Sequence, residues 1–225
     1  MGLTLEDLRG RHDCEDVWVV GSDPTVGMFG PGFFEGRTVV GINLAVRVVP
    51  VTYTVTKADG ESIAGSFWRL AEEHPDMVLV TSRHEQGWTD HPQVDIPGAV
   101  VFDHWNNHAH AFDPDRDIPT EPGRLLVSQS TSGSALHFAA LLGARTVFTV
   151  GLHGGRFSDA ANADGYYEQP QSISSDRTYT IAAKQVAGIC RRLTELYGTR
   201  FVTVLPWGNL ACDGVPFRAE YGSLN

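Results

Sequence analysis

Cysteine is scarce: Cys14, Cys190 and Cys212 are the three present, far apart and with no Cys-x-x-Cys pair. That excludes a disulfide framework and a cysteine-built zinc site, and it fits reduced thiols. Long apolar runs are also missing, for no stretch approaches the roughly 20 residues that span a bilayer. The opening residues, MGLTLEDLRGRHDCEDV, hold no apolar core of a secretory signal, so the expected location is the cytoplasm. Positive charge is short as well: 17 Lys and Arg stand against 27 Asp and Glu, a formal net charge of -10. The basic residues are scattered, and such a surface disfavours a nucleic-acid partner. Neither Gly-x-Gly-x-x-Gly nor a Walker Gly-Lys-Ser/Thr occurs, so the common dinucleotide and nucleoside triphosphate fingerprints are absent. There is no Gly-x-Ser-x-Gly elbow, no internal repeat and no low-complexity tract.

What is present is an ordinary globular composition, 42% hydrophobic and 20% charged over 225 residues, enough for a full core. A single domain over 1–225 is the simplest organisation. Val17 to Val20 and Thr38 to Ile42 are short β-branched runs closed by Gly21 and Asn43, and they read as buried parallel strands. Tyr53 to Thr56, Met77 to Thr81 and Ala99 to Phe102 are further strand candidates. The clearest unit follows: Leu125 to Val127, a hydroxyl-rich turn, a helix over Ala135 to Leu142, Gly143 as its stop, and a strand over Thr146 to Val150. Val186, Ile189, Cys190, Leu193 and Tyr197 recur at spacings of three and four, an amphipathic helix that Gly198 ends before a last strand over Phe201 to Leu205. Alternating strands and helices predict a single doubly wound, Rossmann-like α/β domain with a mostly parallel sheet. Irregular stretches at about 83–98, 103–124 and 152–177 would lie over the carboxyl ends of the strands, where such sheets bind ligands. The last is long enough for a lid.

Four segments carry candidate chemistry. In Gly-Ser-Asp-Pro-Thr, residues 21–25, Gly21 and Ser22 permit close backbone approach, Pro24 stiffens the turn and Thr25 adds a hydroxyl, features useful for a phosphate or simply for a strand-to-helix turn. Ser130, Thr131, Ser132, Gly133 and Ser134 precede the predicted helix, where free N–H groups and the helix dipole favour an anion; a plain N-cap using one hydroxyl is the alternative. Asn43 offers a donor and an acceptor to a base or ribose, or an Asx turn to its own backbone. Gly151-Leu-His153 follows the strand at 146–150 and brings an imidazole that can bond a ribose hydroxyl or act as base. Beyond these, Asp103 to Asp113 gathers His104, His108 and His110 with two carboxylates, but the spacing matches no strong metal signature and no metal ligands are assigned there.

The ordered set Val-Val-Gly-Ser-Asp-Pro-Thr (19–25), Gly-Ile-Asn-Leu-Ala (41–45), Thr-Ser-Gly (131–133), Leu-Gly-Ala (142–144), Val-Gly-Leu-His (150–153) and Leu-Pro-Trp-Gly-Asn-Leu (205–210) resembles a known superfamily. It is similar to the bacterial lipooligosaccharide sialyltransferases, the motility-accessory flagellin glycosyltransferases and the hydroxymethylpterin diphosphokinases. The resemblance implies a Rossmann-like domain in which Gly21, Ser22, Pro24, Thr25, Asn43, Thr131, Ser132 and Gly133 bind a nucleotide, in the sialyltransferases CMP-sialic acid. Asp23 stands where the family loop has its second glycine, and Gly151-Leu-His153 replaces the family's Gly-x-Asp. The catalytic His expected before the last long helix has no counterpart around Ser174 to Thr178.

The expected function is therefore glycosyltransferase-like: a nucleotide-activated sugar meets the hydroxyl of a glycan or small-molecule acceptor. His153 or Asp176 is the candidate base, while Tyr166, Tyr167 and Arg177 would steady the leaving phosphate. Two alternatives are a diphosphokinase acting on a pterin-like alcohol, with Mg²⁺ on carboxylates such as Asp23 or Asp59, and a nucleotide-binding module without catalysis. No cofactor is assigned. A requirement for a divalent cation and homo-oligomerisation both stay open.

Overall fold

A computed structural model describes residues 2–30, 32–57, 69–83, 97–105, 112–128, 130–152, 163–165, 176–205 and 217–220, with backbone alone at 104–105, 176–184, 205 and 217–220. Nine strands form one sheet: β1 (Asp16–Val20), β2 (Thr38–Ile42), β3 (Tyr53–Thr56), β4 (Val78–Arg83), β5 (Val100–Trp105), β6 (Arg124–Leu126), β7 (Thr146–Val150), β8 (Arg200–Leu205) and β9 (Phe217–Glu220). Their order is β6-β5-β4-β3-β2-β1-β7-β8-β9, and every pairing is parallel except β8 with β9. The chain thus builds outward from β1 in one direction, then returns to its other side with β7. The expected doubly wound, mostly parallel sheet is the one observed.

The strands form where β-branched residues run together, as in Asp-Val-Trp-Val-Val and Thr-Val-Phe-Thr-Val, and burial on both faces explains why they do not alternate with polar residues. Each face carries its own core. Val17, Val19, Val40, Tyr53, Val80 and Phe102 belong to one, Trp18, Val20, Val39, Leu79 and Phe148 to the other, as the two-residue period of a strand requires. On the second face Trp18 stacks on Phe148 at 4.7 Å between centroids.

The first face is covered by helices α1 (Leu5–Leu8), α3 (Thr131–Leu141) and α4 (Asp176–Tyr197); a short helix α2 (Pro114–Asp117) packs on α4. Helix α3 lies on β1, β2, β3, β6 and β7 and also meets α4, so it is buried on nearly every side. Its sequence, TSGSALHFAAL, has apolar or small residues all round to suit. Helix α4 is amphipathic: Val186, Ile189, Cys190 and Leu193 are buried, whereas Arg191 and Glu195 form an exposed ion pair at 2.7 Å.

Several boundaries differ from those read in the sequence. Helix α3 begins at Thr131, not Ala135, because Ser130 is its N-cap, with its hydroxyl accepting from the Ser132 N–H. Helix α4 reaches back to Asp176, so Asp176 and Arg177 belong to a first helical turn instead of an irregular lid. Asp103 to Trp105 complete β5, and α2 interrupts the stretch expected to be irregular after it. The antiparallel β9 had no sequence expectation.

Candidate functional site

Open α/β sheets bind ligands outside the carboxyl ends of their strands, where the strand order reverses, and in this sheet the reversal lies between β1 and β7. Two loops leave there, one after Val20 and one after Val150. Gly21 and Gly151 lie back to back. A Cβ on Gly21 would collide with the Gly151 carbonyl, and one on Gly151 would sit 2.5 Å from Val26 Cγ2. Gly151 also has φ of 70°, which favours glycine. These two glycines are thus required by the close approach of two loops.

The loop's donors are largely committed inside the protein. Gly21 N–H donates to the Val150 carbonyl (2.8 Å), Asp23 N–H to the Gly151 carbonyl (3.1 Å) and Val26 N–H to the Asp23 carbonyl (3.0 Å). The Asp23 carboxylate is buried and accepts from Thr25 N–H at 3.0 Å, capping a short 3-10 turn that Pro24 begins. Its charge is therefore turned onto the loop's own backbone. Ser22 accepts from Ala163 N–H at 2.7 Å through its carbonyl. The Thr25 hydroxyl is buried with no hydrogen-bond partner among the described residues.

One to two strand spacings from β1, roughly 5–10 Å, a second group follows β2 and β3. Asn43 follows β2 in the left-handed region, φ 52°, and its N–H donates to Val55 O at 3.0 Å. Its side-chain Oδ1 accepts from the Thr56 hydroxyl at 3.2 Å. Lys57, next along β3, extends its ammonium to the Ser128 carbonyl at 3.2 Å, which places it beside the start of α3. There Ser130 and Ser132 share a hydroxyl contact of 2.9 Å, and the first turn of α3 contains no acid. Positive potential from the helix terminus and the Lys57 charge therefore reinforce each other. Gly133 faces inward: a Cβ there would meet Ser128 Oγ at 2.6 Å and Ile189 Cδ1 at 3.2 Å.

The structure thus brings Asn43 and Lys57 to the sheet edge, and Lys57 to the Ser130–Ser132 turn. It places Gly21, Ser22, Pro24, Thr25 and Gly151 together at the reversal. The side chains of Asp176 and Arg177, together with His153, Tyr166, Tyr167, Asp59, His108 and His110, lie outside the described residues. Among the described residues no group of three or more His, Cys, Asp or Glu could hold a metal ion, and no helix is long and apolar enough to cross a membrane. Asp103 lies 3.9 Å from Arg83 in an exposed pair. Sequence reasoning missed Lys57, Ser128 and Thr56. The signal was available for Lys57, a cation directly after the predicted strand at 53–56.

Topology and packing define the class: an open, doubly wound, Rossmann-like α/β sheet. No family model and no curated protein matches the chain. Among solved structures it is similar to the MAf glycosyltransferase from Magnetospirillum magneticum AMB-1, with 13% identity, a TM-score of 0.47, and coverage of 85% of this chain but 34% of that one. A remoter likeness is to dTDP-glucose 4,6-dehydratase from Bacillus anthracis in complex with NAD, at 12% identity over 60% of this chain and 54% of the other, TM-score 0.16. The chain spans about a third of the first structure and about half of the second.

Proposed function

We propose that the carboxyl edge of the sheet binds a nucleotide-activated sugar and delivers the sugar to an acceptor hydroxyl. The observation that carries this reading is the Lys57 ammonium held on the Ser128 carbonyl beside the acid-free start of α3, a cationic corner suited to phosphate. The ordered motifs from 19–25 to 205–210 support it. In the reaction the acceptor oxygen forms a bond to the anomeric carbon while the bond to the leaving phosphate oxygen breaks. The acceptor proton goes to His153 or Asp176, and negative charge grows on the departing phosphate, where Lys57 and the helix N–H groups stabilise it. Tyr166, Tyr167 and Arg177 are the further candidates for holding that phosphate.

A second reading, nucleotide binding without turnover, draws on the 21–25 loop, whose Gly21, Asp23, Thr25 and Val26 amides already bond within the protein. The diphosphokinase reading loses support from Asp23, because its carboxylate is buried on Thr25 N–H. Thermal shift with CMP, UDP, GDP and adenine nucleotides, with and without Mg²⁺, tests the proposal: a nucleotide that binds the native state raises the melting point. Failure of every nucleotide and nucleotide sugar to shift it overturns both readings. Nucleotide release from a bound nucleotide sugar on addition of acceptor separates transfer from binding alone.

A further inference from the structure

The second face of the sheet carries a row that the phosphate corner does not use. Ile42 is in register with Val55, and Thr56 with Thr81, so Asn43, Thr56 and Thr81 follow one another across the ends of β2, β3 and β4. Thr56 and Thr81 have the parity of Thr54 and Leu79, the side opposite α3, and Asn43 joins them through its Oδ1, which accepts from the Thr56 hydroxyl. Lys57 has the other parity, consistent with its reach to Ser128. One edge therefore carries a cation and a helix terminus on one side and an uncharged polar row on the other, of which Thr56 and Thr81 are buried and Asn43 is half-buried.

Within that row the hydrogen bonding is incomplete. The Thr56 hydroxyl donates to Asn43 Oδ1, leaving the Asn43 amide donors directed elsewhere. Thr81 is 3% exposed, yet its hydroxyl has no hydrogen-bond partner among the described residues. A buried hydroxyl without a partner is costly in a folded protein and calls for an explanation. Register neighbours lie about 4.8 Å apart, so one bound group can bridge Thr81 and Thr56 and continue to the half-buried Asn43.

We infer that Asn43, Thr56 and Thr81 form the subsite for the uncharged, hydroxyl-bearing sugar of the ligand, with Thr81 its innermost polar contact. The inference rests on the nucleotide-sugar reading and assigns the two halves of that ligand to the two faces of one sheet edge. A row of neutral donors and acceptors matches sugar hydroxyls, each of which donates and accepts, and it offers a phosphate no compensating charge.

The test compares the unaltered chain with Thr81→Val and Thr81→Ser by calorimetry, using CMP, UDP, GDP and ADP and then CMP-sialic acid, UDP-glucose, GDP-mannose and ADP-glucose. Thr81→Val is expected to weaken the preferred nucleotide sugar about tenfold and to leave the bare nucleotide unchanged. Thr81→Ser should restore most of the loss. Because valine replaces an unpartnered hydroxyl with a methyl of similar volume, the urea midpoint of Thr81→Val should stay the same or rise. Equal effects on nucleotide and nucleotide sugar, no effect on either, or a lowered urea midpoint would overturn the subsite. If the unaltered chain binds none of the eight compounds, the nucleotide reading itself falls and takes the subsite with it.

Discussion

His137 and Tyr197 meet through Nε2 and the phenol oxygen at 2.8 Å, joining α3 to the last turn of α4. Leu126 N–H donates to Nδ1 at 3.0 Å, so the proton of the neutral ring sits on Nε2 and points at Tyr197. Burial, and then the nearby Arg9 charge, push the His137 pKa down from 6.5 to about 3.

Between those two values the unfolded chain binds a proton that the folded chain refuses. Stability must then fall as pH drops from about 6.5 towards 3, by at most ~1.4 kcal/mol per pH unit from this group. His137→Leu should cost about 1–3 kcal/mol at pH 7, since it strands the Leu126 N–H and Tyr197 hydroxyl. Urea unfolding at pH 7, 5.5 and 4 should show the gap between variant and parent narrowing with acid. A gap independent of pH would contradict the assignment.

Gly21→Ala forces a Cβ into the Gly151 carbonyl, a backbone atom with nowhere to swing. Overpacking of this kind costs about 1–3 kcal/mol, and Gly151→Ala adds the penalty of its positive φ. Both losses should appear in urea unfolding without any ligand. A fully stable Gly21→Ala protein that binds no nucleotide would instead place Gly21 in ligand contact.

Lys57→Met removes the charge held on the Ser128 carbonyl while keeping most of the length of the side chain. Nucleotide binding should weaken about tenfold and lose part of its salt dependence, whereas binding of the corresponding nucleoside should not change. Titration at two ionic strengths reads both effects.

Cys14 is exposed and Cys190 is buried among the residues of α4, where desolvation raises its pKa strongly. Maleimide should label Cys14 in the native protein and reach Cys190 only after denaturant is added. Peptide mass spectrometry resolves the two. Native labelling of Cys190 would mean that α4 does not seal the core as described.

The strands and the helix at 186–197 were legible because their signals are local: β-branched runs closed by Gly21 and Asn43, and an apolar stripe ended by Gly198. Ser130 is one of several hydroxyl residues before Ala135 that could cap the helix, and only backbone geometry selects it. The 21–25 loop is recognisable in the sequence as a small-residue turn, but close packing of Gly21 on Gly151, over a hundred residues away, has no local signature. Thr56 and Thr81 looked like ordinary strand residues. Their interest arises from register across three strands, which only the folded sheet supplies.

The strand order also shapes how the chain emerges during synthesis. From β1 to β6 each new strand pairs with the one made just before it, so six of the nine strands need only recent neighbours. The far flank of β1 must then wait for residues 146–150, which arrive well over a hundred positions later. Until β7 docks, β1 is an apolar edge strand with an open row of backbone donors and acceptors. That interval is the stage at which a nascent chain of this architecture is most open to pairing with the wrong partner.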